Sequence, residues 1–206
     1  MSSPNRLKSL PAGGNIYNKY ETKNPLYKYA VNRFLKTLLS LTADLKDAKT
    51  LLEVGCGDGY LLNHTSGASR FSRIEGIDVS EEIVQKAKIL YPRFKFSAGS
   101  ACKLAYSADE FDLVLACEVL EHLDSPAKAL SEIKRVAGKY CIISVPLEPL
   151  WRIANLARGA YVSKLGNTPG HVQHWGKKTF LALLEKHFTV EKIHYPLPWQ
   201  MALCKK

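Results

Sequence analysis

A chain of 206 residues with a formal net charge of +10 is long enough for one domain with a full hydrophobic core. At 46% hydrophobic and 23% charged residues its composition excludes an intrinsically disordered chain. No apolar run approaches the ~20 residues a membrane-spanning helix needs, and the basic start lacks the apolar stretch of a secretory signal, so a cytoplasmic protein is expected.

Five cysteines, Cys56, Cys102, Cys117, Cys141 and Cys204, are widely spaced with no Cys-x-x-Cys pair. Four of them sit in apolar or small-residue contexts. They read as reduced core thiols, and no disulfide framework or metal site is expected. Charge is unevenly distributed: residues 51–133 carry 8 Lys and Arg against 13 Asp and Glu, whereas the flanks carry 21 against 6. Basic flanks suit an anionic partner such as a phosphorylated or carboxylated substrate, lipid headgroups or nucleic acid; a solvated lysine-rich surface is the plainer reading.

In chain order, residues 1–23 read as a loose arm or lid, with Pro4, Pro11 and Gly13-Gly14. Apolar spacing predicts a helix over 26–41, and 50–54 is a short buried strand stopped by glycines. A helix begins at Tyr60. A strand over 71–78 ends in an acid, and Ser80 then caps a helix running to about Leu90, with Glu81 and Glu82 in its first turn. Strands follow at 94–98 and 111–116. The next helix, 125–136, has Ser125 as its cap and Pro126 at its first position. A near-continuous apolar strand spans 140–145. Residues 147–176 depart from the alternation as an insertion, helical over 150–165. A helix at 178–187 and strands at 189–195 and about 199–204 finish the chain. Buried strands alternating with amphipathic helices predict an α/β fold, a doubly wound Rossmann-like parallel sheet in a single domain, 24–206.

The strongest local signal is Leu51-Leu52-Glu53-Val54-Gly55-Cys56-Gly57-Asp58-Gly59. A strand feeding a glycine-rich turn and a helix lets backbone approach a ligand closely. Asp78, at the end of the second strand, stands where an acid accepts hydrogen bonds from a ribose diol. A dinucleotide wants G-x-G-x-x-G, but Tyr60 occupies the third glycine's place. Glu53 would also repel a pyrophosphate, and suits a cationic ligand.

These segments, with Gly76-Ile77-Asp78-Val79-Ser80 and the run from Phe111 through Cys117-Glu118 to Glu121-His122-Leu123, resemble the successive motifs of class I S-adenosylmethionine-dependent methyltransferases. They are most similar to the subgroup that includes quinone-biosynthesis enzymes. The resemblance implies a seven-stranded sheet of order 3-2-1-4-5-7-6 with the last strand antiparallel, and S-adenosylmethionine as cofactor with S-adenosylhomocysteine as product. It implies that Gly55, Cys56, Gly57 and Gly59 form the loop against the methionyl part, with Glu53 near the ammonium. Asp78 would bind the ribose hydroxyls and Val79 would pack on the adenine. Where the family often has an acid contacting the adenine amino group, this chain has Ser100, Ala101 and Cys102, which leaves backbone recognition. Cys117 and Glu118 would line the cofactor from the other side. An N-terminal helix often closes over the cofactor in this family, which makes Tyr20 a candidate lid contact.

Methyl transfer from a sulfonium is an in-line displacement in which the protein aligns the nucleophile and excludes water. A base is needed only where the acceptor loses a proton. The candidates are His122, His171 and His174, the last two as His-x-x-His beside the turn-rich 166–170, with packed rings or loop hydrogen bonds as the plainer reading. Residues 147–176 are expected to form a substrate cap. The aromatic and basic stretch 150–162 would equally suit an interfacial helix touching lipid, or a dimer contact. The expected acceptor is a small molecule or a lipid- or sugar-linked intermediate, methylated at oxygen. An RNA methyltransferase using the basic flanks and a non-catalytic subunit that kept the cofactor fold are the competing readings.

Overall fold

The computed structural model describes residues 24–65 and 71–206, and the N-terminal arm with Tyr20 lies outside them. Helix α1 (Pro25–Asp44) is followed by β1 (Thr50–Val54), α2 (Tyr60–Thr65), β2 (Arg73–Asp78), α3 (Glu81–Leu90) and β3 (Lys95–Ala98). Then come β4 (Phe111–Cys117), a 3-10 turn (Leu120–His122), α4 (Pro126–Val136), β5 (Ala137–Pro146), α5 (Leu150–Ala157), a second 3-10 turn (Val162–Lys164), α6 (Lys177–Glu185), β6 (Thr189–His194) and β7 (Trp199–Lys205).

The seven strands form one sheet in the order β3-β2-β1-β4-β5-β7-β6. Neighbours from β3 to β5 run parallel, whereas β7 is antiparallel to both β5 and β6. The expected order and the antiparallel last strand are both present. The central strands are buried on both faces, as parallel strands under helices must be. Their alternation sorts the core: Leu113 and Leu115 of β4, Ile142 of β5 and Met201 and Leu203 of β7 face α1, which contributes Phe34, Leu38 and Leu41. Val114, Ala116, Ile143 and Ala202 face the other way, with Leu130 and Ile133 of α4 and Phe180 of α6.

Helix starts follow local chemistry. Asn24 Oδ1 accepts from the backbone N–H of Leu26 and Tyr27, and Pro25 takes the first helical position. Ser80 Oγ likewise accepts from Ile83 N at α3. The expectation for Ser125 fails in one respect: Pro126 is at the first position of α4, but the Ser125 side chain makes no capping bond. The insertion also differs. Its helix stops at Ala157, eight residues short of 165, because Gly159 turns the chain at φ +71° and Tyr161 adopts a left-handed conformation. Among the described residues no helix is long and apolar enough to cross a membrane.

Candidate functional site

The turns after β1, β2 and β4 gather at the sheet's C-terminal edge, where open α/β folds hold their ligands. In the loop after β1, Gly55, Gly57 and Gly59 have φ of +71°, +54° and +84°, a region that L side chains rarely adopt. The loop is pinned to β2, since Gly55 N and Cys56 N both donate to the Ile77 carbonyl, at 2.7 and 3.0 Å. A Cβ at Gly55 would lie 2.4 Å from Val119 Cγ2, so the missing side chain is what lets the turn after β4 close on this loop. At Gly57 a Cβ would meet nothing within 4 Å, so that glycine faces open space.

Asp78 is buried, and each of its carboxylate oxygens accepts a backbone N–H at 3.0 Å, Oδ2 from Gly57 and Oδ1 from Ser80. A carboxylate offers about four acceptor positions, so two such bonds fix its orientation and keep capacity for a diol. Glu53, also buried, stands before the loop, and Asp58 within it. Burial pushes the Cys56 thiol far above its ordinary range, and the negative charges of Glu53, Asp78 and Asp58 push it further. Carboxylates gathered this closely favour a cationic ligand over a phosphate. Val79 is half-exposed at the same edge. After β3, Cys102 donates its backbone N–H to Ser100 Oγ at 3.2 Å and its thiol to the Ser125 carbonyl at 3.8 Å. The loop is therefore tied within itself and to the start of α4.

The β4 side completes the cleft. Cys117 is buried. Glu118 takes a left-handed φ of +61°, a strained choice for a non-glycine residue of the kind that clusters at ligand sites. Its Oε2 accepts from Trp199 Nε1 at 2.6 Å. Trp199, at the start of β7, was not singled out in the sequence, because only the antiparallel return of β7 brings it here.

The three histidines separate. His122 Nδ1 lies 3.0 Å from the Gly170 carbonyl, which can only accept, so Nδ1 carries the hydrogen in this contact. His171 is buried, its ring edge-on to His122 at 4.9 Å and stacked on Trp151 at 5.8 Å. His174 instead pairs through Nε2 with Asn167 Oδ1 at 2.8 Å and is exposed. The His-x-x-His pair is thus not a unit. What the fold assembles is Glu121, His122 and His171, whose ligand-capable atoms all lie within 4.8 Å of one another and could hold a metal ion. Glu121 was missed as a site residue, because a carboxyl 1% exposed looks in sequence like any polar residue beside a histidine. Its backbone carbonyl accepts from Val172 N and Gln173 N, which clamps the insertion onto the turn after β4.

Comparison with known proteins agrees with this geometry. Residues 52–143 match the family described as "Methyltransferase domain". The mitochondrial ubiquinone biosynthesis O-methyltransferase of Candida albicans is 34% identical over 104 residues, covering 46% of this chain and 32% of that protein. Norajmaline N-methyltransferase of Rauvolfia serpentina is 35% identical over 100 residues, covering 45% and 34%. The chain thus spans about a third of the length of these curated relatives. Among solved structures, magnesium protoporphyrin IX methyltransferase of Synechocystis PCC 6803, with bound SAH, superposes with a TM-score of 0.66 at 17% identity, over 90% of this chain and 89% of that one, a likeness of fold. Sheet order, glycine loop and the match over residues 52–143 together support a class I S-adenosylmethionine-dependent methyltransferase, with S-adenosylmethionine as cofactor.

Proposed function

We propose that the protein transfers a methyl group from S-adenosylmethionine to a hydroxyl of a small-molecule or lipid- or sugar-linked acceptor, bound between residues 147–176 and the turn after β4. The carrying observation is the contact of two unlike walls through Gly55 and Val119: an acid-lined glycine loop on one side, and Glu121, His122 and His171 on the other.

The residues fit the cofactor. Glu53 would pair with its ammonium, Gly55 and Gly57 would lie against its methionyl chain, and Asp78 would accept from the ribose hydroxyls. Val79 would pack on the adenine. Because the Cys102 amide is already given to Ser100, adenine recognition falls to the backbone of Ala101. Cys117 and Glu118 close the far side. When bound, the cofactor supplies a methyl group on a cationic sulfur that leaves as a neutral thioether. The protein then has to align the acceptor oxygen and keep water out, a role we assign to the buried rings of Trp151 and Trp199. His122, oriented by the Gly170 carbonyl, is our candidate for the group that takes the acceptor's proton, through Nε2.

One observation favours a second reading of the same wall. Two imidazoles and a carboxylate are a donor set for a divalent cation. A cation there would supply Lewis acidity and make a base unnecessary.

Calorimetry with S-adenosylhomocysteine tests the cofactor half. Binding is expected, and Asp78→Ala should weaken it by roughly 30-fold or more, the scale of lost hydrogen bonds to a charged group. Equal affinity in the variant would remove Asp78 from the site. Radiolabelled methyl transfer into lipid, small-molecule, protein and RNA pools of a cell extract tests the acceptor. Label confined to RNA would replace the small-molecule reading. Dialysis against EDTA with ion add-back separates base from cation, since only the cation reading loses activity and regains it.

A further inference from the structure

We infer that the outward face of residues 150–165 docks on an anionic lipid surface. Helix α5 is apolar on the side where a surface helix is normally polar. Its inward positions are Trp151 and Asn155, buried and occupied: Trp151 Nε1 donates to Thr168 Oγ1 at 2.9 Å, and Asn155 Nδ2 to the Gly166 carbonyl at 2.8 Å. The outward stripe at i, i+3, i+4 and i+7 is Leu150, Ile153, Ala154 and Ala157, with Ile153 55% exposed.

The chain that follows continues the display. Tyr161 and Leu165 both take left-handed conformations, φ +55° and +49°, on either side of the 3-10 turn Val162–Lys164. Each such residue costs of the order of 1–3 kcal/mol, and the reward is not burial, because Tyr161 is 39% and Leu165 68% exposed. Nor is the segment loose. Arg152 Nε donates to the Leu165 carbonyl at 3.0 Å, and a Cβ at Gly166 would lie 2.3 Å from the Arg152 carbonyl oxygen, so the turn is packed down on α5.

Charge selects the occupant. Between Pro149 and Leu184 the sequence has Arg152, Arg158, Lys164, Lys177 and Lys178 and no acid. Arg152 and Arg158 flank the apolar stripe. Arg158 lies 5.9 Å from the ring centres of both Tyr27 and Tyr161, which joins the patch to the first turn of α1, where Leu26 and Tyr29 are exposed beside Lys28. Aliphatic side chains rimmed by cations match the acyl boundary and the headgroups of an anionic bilayer. A second copy would set like charges against each other. RNA would leave Ile153, Val162 and Leu165 without a partner, since its bases stack on aromatic rings.

The inward side of the same helix carries Trp151, stacked on His171. Docking would therefore set the acceptor wall of the proposed methyltransferase against the membrane, open to an acceptor held by a lipid tail. That consequence rests on the proposed function; the docking itself does not.

The test is flotation of the full chain with vesicles of phosphatidylcholine alone and of phosphatidylcholine mixed with phosphatidylglycerol. The protein should partition onto the mixed vesicles and little onto the neutral ones. The double variant Ile153→Asp, Leu165→Asp should lower partitioning by on the order of tenfold or more, and aspartate tolerates the left-handed position. Affinity for S-adenosylhomocysteine, unchanged in the variant, reports an intact fold. No partitioning, or partitioning untouched by the variant, overturns the inference. So does a dimer in sedimentation that the same substitutions dissociate, or single-stranded RNA binding that they abolish. Vesicle binding by a protein that ignores S-adenosylhomocysteine would sink the cofactor reading and leave the docking surface standing.

Discussion

The loop after β1 and residues 147–176 both lie at the C-terminal edge of the sheet, yet they are made by different means. The proposed cofactor wall is local. Glu53, Gly55, Gly57 and Asp78 sit within 26 residues of one another, where Gly55 N and Cys56 N donate to the Ile77 carbonyl and Gly57 N to the Asp78 carboxylate. The proposed acceptor wall is assembled at a distance: Glu121 and His122 come from the turn after β4 and His171 from the insertion. Main-chain donors and one carboxylate from neighbouring segments fix the first wall, so it suits an invariant cofactor. The second depends on side-chain packing and tolerates change, as an acceptor site must if one fold is to serve many substrates.

The largest expected effect separates the walls by function. His122→Ala should lower methyl incorporation about 10²–10⁴-fold, with affinity for S-adenosylhomocysteine within about twofold of the parent. A parallel fall in that affinity would mean that the walls are one site and the comparison is wrong. At the contact between them, Gly55→Ala places a Cβ against Val119 in a left-handed backbone and should cost about 2–4 kcal/mol in chemical denaturation. Gly57→Ala faces open space, so it should cost only about 1 kcal/mol and show its effect in cofactor affinity instead. Equal stability losses would refute the packing role given to Gly55.

A control away from both walls is Glu132 on α4, held down to about 2 chiefly by its hydrogen bonds with Arg135, while it also accepts from Leu104 N. A lowered carboxyl stabilises fully above its unfolded value near 4.5, and that contribution disappears as pH falls toward 2. Glu132→Gln should therefore lose about 1 kcal/mol at pH 7, with the gap to the parent narrowing in denaturation curves below pH 4.5. Neither ligand affinity nor turnover should move. The smallest effect belongs to Glu148, at the entry to the insertion, whose carboxyl is raised, chiefly by burial. A raised carboxyl contributes stability below its unfolded value and loses it as pH rises. At neutral pH, then, Glu148→Gln should gain a few tenths of a kcal/mol, and an unfolding midpoint that drops would contradict the burial.

The geometry of the proposed cofactor wall was legible because its signals are contiguous: a strand, glycines at the tight turn, and an acid closing the next strand. The acceptor wall was legible only in pieces. His122 and His171 were each suspect, but their pairing was not readable, and the motif suggested His174 as partner where the fold supplies Glu121. The helix expected to reach 165 ended early because one glycine and two left-handed residues outweighed an apolar pattern that had no core to face. The capping role of Ser125 failed because a serine before proline offers a cap without obliging the chain to use it.

The sequence by itself determined the order of the elements, their two buried faces and the negative loop that suits a cationic cofactor. Each of these follows from periodicity, glycine freedom or charge acting over a few residues. Only the tertiary structure decided which histidine meets which carboxyl, that Trp199 holds Glu118, and that α5 turns its apolar stripe outward. Those outcomes depend on packing between segments tens of residues apart, where any one of several partners would satisfy the local pattern and the whole core selects among them.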